Sequence, residues 1–524
     1  MKKSLRNVLL ITADQWRGEC LSALHHPCVK TPNLDALISE SVVFENHYSV
    51  CAPCGPSRAS LLTGMYLQNH RSCRNGTPLD ERHTNIALEM RNAGYAPALF
   101  GYTDTSRDPR TTAPELLSRH AYEGVLPGFN AETLLTDDLI PWIEHLKSRG
   151  YEIPERNHFV YHHIADYPEA ENRGRTFPPP IYEADDSVTA FLTNEAKAYL
   201  SKQNTSWFMH VSYLRPHPPF VAPKPYNSMY AASDVPFPVR AETAEKEASI
   251  HPWLGRALDA IGDWFDPWMQ SSIGDDGYDE DIRQVRATYY GLITKVDHYV
   301  GELIQHLKQT GAYDDTLIIF TSDHGELLGD HWLFGKRGYF DQGYRIPLIV
   351  RDPRMEANSY RNRHITNFTE SVDIMPTILE WLDLDVPRQC DGRSLLPFCR
   401  GEIPSDWRTE VHWEYDFRDV SDPTLEKELG ISMDQCALNV IRDEQFKYVH
   451  FNGLPPLFFN LEDDPDSLKN LVGDQDYGLK ILEYAQKLLS WRMQNDERIL
   501  TGMKLTSEGV VERQNQGAVL DNYL

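Results

Sequence analysis

Near its N-terminus the chain reads Val8-Leu-Leu-Ile-Thr-Ala13-Asp14-Gln15. A short run of Val, Leu and Ile that ends abruptly on a carboxylate is strand-sized, and it fits the first strand of a buried sheet. Two lysines precede it, so a secretory leader is the alternative reading. The run is too short for such a leader and meets Asp14 without a small-residue cleavage site.

Similar runs recur at 96–100, 208–212, 317–321 and 347–350, separated by helical patterns. This alternation predicts an α/β fold, a large and mainly parallel mixed sheet sandwiched by helices. The clearest helix covers 281–310, where Ile293, Val296, Val300, Leu303, Ile304 and Leu307 keep helical spacing and Gly311 closes it. Segments 106–190 and 222–280 are rich in Pro, Asp and aromatics, and read as insertions over one end of the sheet, with Trp264 and Trp268 packing a lid.

Beyond residue 400 the pattern shifts to short strands near 411–415, 437–441 and 448–451 between polar turns, a smaller antiparallel sheet. A helix follows with Ile481, Leu482, Ala485, Leu488 and Leu489 on one face. The expected division is a main α/β domain at 1–400, a C-terminal subdomain at 401–499 and a tail at 500–524 that meets a neighbouring subunit. The assembly expected is a homo-oligomer, a dimer or tetramer.

The 524 residues are 41% hydrophobic, which excludes collagenous and disordered classes. A formal charge of −26 argues against nucleic acid or acidic membranes as partners, and requires a locally positive pocket for any anionic substrate. No apolar run approaches the ~20 residues that a bilayer demands. Eight cysteines form no disulfide framework, so the expected location is cytoplasmic.

The most informative segment is Cys51-Ala-Pro-Cys54-Gly-Pro-Ser-Arg58-Ala-Ser-Leu-Leu-Thr-Gly64. Pro56 and the residues after it predict a helix beginning just after Cys54, whose side chain then lies at the positive helix end, an environment that favours a thiolate or alkoxide. Packing of a small thiol and a Cys-x-x-Cys pair of Cys51 with Cys54 are the plainer readings. A phosphatase thiolate is ruled out, because only three residues separate Cys54 from Arg58.

Polar groups follow four of the predicted strands: Asp14-Gln15, Tyr102-Thr-Asp104, His217 within Arg215-Pro-His-Pro-Pro219, and Asp323-His324. In an open parallel sheet all four emerge at the carboxyl edge, where such folds bind ligands.

The Cys54-Gly-Pro-Ser-Arg58 run with Leu62-Thr-Gly64 resembles the motif of the sulfatase family, in which this cysteine is oxidised to formylglycine. The resemblance implies a hydrated aldehyde in which one hydroxyl attacks and the other expels the product, activated by one divalent metal ion, Mn²⁺ or Ca²⁺. It makes Asp14, Cys54, Asp323 and His324 metal ligands. The resemblance also implies that Arg58 holds the formylglycine hydroxyl, that Lys336 contacts the substrate anion and that His217 assists the leaving group. A formylglycine-generating enzyme is then a maturation partner, and the substrate is a small anionic ester. The run 457–471 is also similar to the family's closing turn.

Four residues depart from the usual family pattern. Gln15 stands where a second Asp is common, Tyr102 to Asp104 where Lys-x-His is common, and His324 where Asn is common. With fewer charges on both sides, such a site suits a singly charged substrate, and His324 shifts the metal preference from Ca²⁺ toward Mn²⁺. Together with Asn75 and the run 329–336, these residues resemble the phosphonate monoester hydrolase and phosphodiesterase branch of the alkaline phosphatase superfamily. Gln15, Asn75, Tyr102 and Asp104 are the expected substrate-binding positions. Arylsulfatase as the main activity is the alternative.

Overall fold

A computed structural model describes residues 6–113, 124–136, 138–153, 161, 163–164, 166–168, 170, 173–259 and 268–512. Parts of the two expected insertions, including Trp264, and the end of the tail lie outside these residues. Trp268 packs against the main core.

The strand Asn7–Ala13 is central. It pairs in parallel with Phe208–Tyr213 on one side and Thr316–Thr321 on the other. Ala98–Gly101 and Asn130–Leu134 extend the sheet in the same direction. On the opposite flank Leu348–Arg351 runs antiparallel to its two neighbours, Thr316–Thr321 and Val42–Phe44, and Arg363–Ile365 closes an eight-stranded sheet.

Alternate side chains of the same strands enter different cores, as the period of two requires. Leu9, Ile11, Val211 and Phe320 meet the helices Tyr278–Thr310, Val188–Leu200 and Pro32–Ile38. Val8, Leu10, Phe208 and Ile319 meet Cys54–Thr63, Ile86–Asn92 and Ile374–Trp381. With both faces covered, the strands read as unbroken apolar runs. The long helix carries three acids in its first turn and ends on Gly311 in the left-handed region.

The smaller sheet contains Val411–Asp416, Ala437–Arg442, Phe446–Phe451 and Leu457–Asn460, all antiparallel. A fifth strand, Cys51–Ala52, joins its edge in parallel, so this sheet anchors the segment that leads into Cys54. Helix Gly478–Gln494 packs on it, but the expected apolar face is corrected. Tyr484 and Leu488 are buried beside half-buried Ile481 and Ala485, whereas Leu482 and Leu489 lie 54% and 59% exposed. The contact stripe is narrow, and those two leucines sit to its side, about 100° around the helix.

Gly101 ends its strand at φ +106, and a Cβ there would lie 2.1 Å from the Ser212 carbonyl oxygen. Both the backbone region and the close approach require glycine. Gly101→Ala is expected to destabilise the protein by about 2–4 kcal/mol, measured by urea unfolding; an unchanged midpoint would contradict this packing.

Candidate active site

Helix Cys54–Thr63 is buried along its entire length, and its N-terminus points at the carboxyl edge of the large sheet. Four strand ends meet there. Asp14 follows Asn7–Ala13, Asp323 and His324 follow Thr316–Thr321, Tyr102 follows Ala98–Gly101, and Ser212 lies in Phe208–Tyr213.

Arg58 joins all four. Its Nη2 donates to Asp14 Oδ2 at 3.0 Å and its Nε to Asp323 Oδ2 at 3.0 Å. Nη1 donates to Ser212 Oγ at 2.7 Å and to the Tyr102 carbonyl at 3.3 Å, while the guanidinium lies over the Tyr102 ring. Two carboxylates are thereby aimed by one planar cation. Asp323 Oδ1 also accepts from the backbone amides of Gln15 and His324, and Ser57 Oγ donates to the Asp323 carbonyl.

Ligand atoms of Asp14, Cys54, Asp323 and His324 all lie within 4.8 Å of one another, and all four residues are buried. Cys54 Sγ is 3.2 Å from His324 Nε2 and 4.0 Å from Asp14 Oδ1. His324 Nδ1 donates to the Gly325 carbonyl at 3.0 Å, which leaves the Nε2 lone pair facing the cluster. The donor set is two carboxylates, one imidazole nitrogen and the Cys54 side chain, whose sulfur stands where the modified residue would carry oxygen. This set fits a divalent cation.

Charge supports the fit. Burial would raise the Asp14 pKa, but His217, Arg58, His324 and Lys336 hold its carboxyl well below the usual range. The Cys54 thiol moves the other way: burial, Asp14, Asp323 and Asp104 push it well above its ordinary value, against Lys336. The expectation of an anion-stabilised thiol is therefore corrected, because three carboxylates and burial outweigh one helix terminus. A bound cation would invert that balance.

Lys336 Nζ donates to Gln15 Oε1 at 2.7 Å, and Gln15 Nε2 donates to Glu326 Oε2. Glu326 is fixed in turn by the amides of Leu328 and Gly335. Gln15 thus turns away from the ligand cluster and orients Lys336. Glu326 was not foreseen, although its place two residues after His324 is the signal that could have drawn attention to it. His217 Nδ1 donates to the Pro218 carbonyl at 2.7 Å, leaving Nε2 as its available atom, and enclosure and Lys336 push its pKa down to about 3.

The other expected substrate contacts are placed as supports. Tyr102 donates its hydroxyl to Asp14 Oδ2 at 2.7 Å, and Asn75 Oδ1 accepts from the Gly55 amide at the helix start. Asp104 lies 3.9 Å from Arg58, and burial raises its pKa to about 7 against the pull of Arg58. A proton on Asp104 lets it sit beside an anionic ligand without repulsion.

A family model described as sulfatase matches residues 6–384. The chain belongs to the sulfatase family. A second model, N-sulphoglucosamine sulphohydrolase C-terminal, matches residues 329–494 of this sulfatase-family enzyme. PehA of Trinickia caryophylli, a multifunctional alkaline phosphatase superfamily protein, is 45% identical over 97% of this chain and 99% of its own. An arylsulfatase of Clostridium perfringens is 28% identical over 95% of this chain and 97% of its own. The phosphonate monoester hydrolase of Agrobacterium radiobacter has a similar structure, with TM-score 0.91 and 47% identity over 97% of this chain and 100% of that one. That of Silicibacter pomeroyi gives 0.89 and 41%, covering 97% and 99%.

Equilibrium dialysis with Mn²⁺, followed by elemental analysis, should find one ion per chain. Asp323→Asn should weaken binding by at least ~10-fold. No stoichiometric binding by the wild type would contradict the assignment of this cluster to a metal.

Proposed function

We propose that this hydrolase cleaves singly charged esters, chiefly phosphonate monoesters and phosphodiesters, with sulfate monoesters as slower substrates. The observation that carries this reading is the Gln15 side chain, which bonds to Lys336 and Glu326 rather than turning to the ligand cluster. A neutral amide in place of a carboxylate removes one negative charge from the metal's surroundings. Tyr102 and Asp104 bring no cation to the leaving-group side. A site so balanced suits a monoanion better than a dianion. Likeness to two phosphonate monoester hydrolases along nearly the whole chain supports the same reading.

In this proposal Cys54 is oxidised to formylglycine by a maturing enzyme. The hydrated aldehyde offers two hydroxyls on one carbon. Asp14, Asp323, His324 and residue 54 hold one divalent ion, with Mn²⁺ favoured by the imidazole donor; when bound it acidifies the nucleophile and draws charge from the substrate oxygens. One hydroxyl of residue 54 attacks phosphorus or sulfur while Arg58 keeps the flanking carboxylates in place. Lys336 counters charge on the substrate oxygens, and His217 serves the leaving oxygen through Nε2. The second hydroxyl then loses its proton, and return to the aldehyde expels the bound acid.

No helix among the described residues is long and apolar enough to cross a membrane. We place the enzyme in the cytoplasm, a location consistent with eight unpaired cysteines. Its association with copies of itself is supported by the hairpin Met503–Thr506 with Gly509–Glu512, whose residues are all exposed. Leu505 and Val510 on that hairpin are 82% and 61% exposed, and a two-stranded hairpin alone is only marginally stable.

One matured preparation assayed on an aryl phosphonate monoester, an aryl phosphodiester and an aryl sulfate tests the reading. The phosphonate and diester are expected to give the higher kcat/KM by at least tenfold, about 1.4 kcal/mol of transition-state preference. A sulfate preference would overturn it in favour of an arylsulfatase.

A further inference from the structure

The helix Gly478–Gln494 is apolar on two sides. Tyr484 and Leu488 pack it on the smaller sheet, whereas Leu479 and Met493 lie 86% and 68% exposed, in line with the exposed Leu482 and Leu489. With Gln486 between them, these positions advance by three, four, three and four residues. That spacing keeps all five on one stripe, about 21 Å long and turned away from the sheet, in the pattern of a seam between two helices.

The borders of the stripe carry no uncompensated charge. Glu483 on one border is paired with Lys480 at 2.8 Å and with Lys487 at 3.4 Å. On the other, Arg492 turns inward to Glu414 and Asn439. Covering the stripe therefore buries no unpaired ion. Four large side chains at these exposures present roughly 500 Å² of apolar surface, at the upper end for the largest patch on a monomer. A stable interface takes about 800 Å² from each partner. Gln486, Ser490 and the stems of the bordering lysines lie beside the stripe and add to it.

The stripe is also its own complement. Counted from Gln486, Leu479 and Met493 stand seven residues before and after, and Leu482 and Leu489 four before and three after. Two copies crossing antiparallel about a twofold axis at Gln486 set Leu479 against Met493 of the partner subunit, and Leu482 against the partner's Leu489. An amide both donates and accepts, so Gln486 can pair with its symmetry mate on the axis, where a charged side chain would meet its like.

We propose that this stripe is an isologous interface whose occupant is a second copy of the chain. The proposal rests on the self-association read above and names its surface. The surface is tied to the active site. Trp491, at the end of the same helix, stacks on His412 at 4.0 Å and meets the Tyr66 ring at 4.8 Å. The Asn495 carbonyl accepts from Gln68 Nε2 at 2.9 Å and Asn69 Nδ2 at 2.7 Å. These residues follow Cys54–Thr63 closely in the chain, so a partner on the outer face backs the helix that presents residue 54.

The full chain with Gln486→Cys, treated with a short bismaleimide, should link to its own copy and run at double mass on a denaturing gel. Lys480→Cys should not link, because its mate would lie about 18 Å away along the helix axis. The wild type, whose cysteines are buried or half-buried, is the blank. By light scattering, Leu482→Glu combined with Leu489→Glu should cut the molar mass at least twofold. A monomeric wild type at micromolar concentration would overturn both the seam and self-association. An associated wild type with no link at position 486, or with an unchanged mass in the Leu482→Glu, Leu489→Glu variant, would overturn the seam alone.

Discussion

One guanidinium holds the carboxyl edge of the sheet together. Arg58 reaches Asp14, Asp323, Ser212 and the Tyr102 carbonyl, each on or just after a different one of four adjacent parallel strands. The strands alone would leave two carboxylates side by side in a dry interior, which is unfavourable unless a cation separates them. Arg58 comes from the first turns of a helix whose N-terminus presents Cys54 to the same point. Placement of the helix, the carboxylates and the cysteine is therefore one geometric event.

The charges around that point cancel within the protein only when Asp104 carries its proton. Asp14, Asp323 and Asp104 face Arg58 and Lys336, with Asp104 shifted toward its protonated form. In the proposed function, the two charges of a divalent cation are met by a singly charged substrate and the ionised hydroxyl of residue 54. Gln15 belongs to this account twice: it withholds a charge from the cluster, and it links Lys336 to Glu326. That link converts a flexible ammonium into an oriented one, as the role proposed for Lys336 toward a substrate oxygen requires.

Much of this is legible in the amino-acid sequence. Strand ends were readable because apolar runs stop on Asp14, Tyr102 and Asp323, and the parallel arrangement then forces those side chains to a common edge. The direction of Leu348–Arg351 was not readable, since an apolar run carries no sign of whether it pairs parallel or antiparallel. Likewise Leu482 and Leu489 are apolar in a helical pattern yet exposed, because pattern fixes a stripe's existence and packing fixes its width. The acidity of Cys54 was misjudged for a related reason. A helix terminus is visible in sequence, while the three carboxylates that oppose it come from distant strands. Glu326 and Ser212 act through contacts that only the folded chain brings together.

All of the proposed chemistry passes through the side chain at position 54, which must offer two oxygens on one carbon rather than a neutral thiol. Mass spectrometry of the peptide ending at Arg58, from protein co-produced with a formylglycine-generating enzyme, tests that requirement most directly. The account predicts that sulfur is replaced by oxygen at residue 54, in a fraction of molecules that rises in proportion to specific activity. Fully active protein carrying only unmodified cysteine at that position would contradict it.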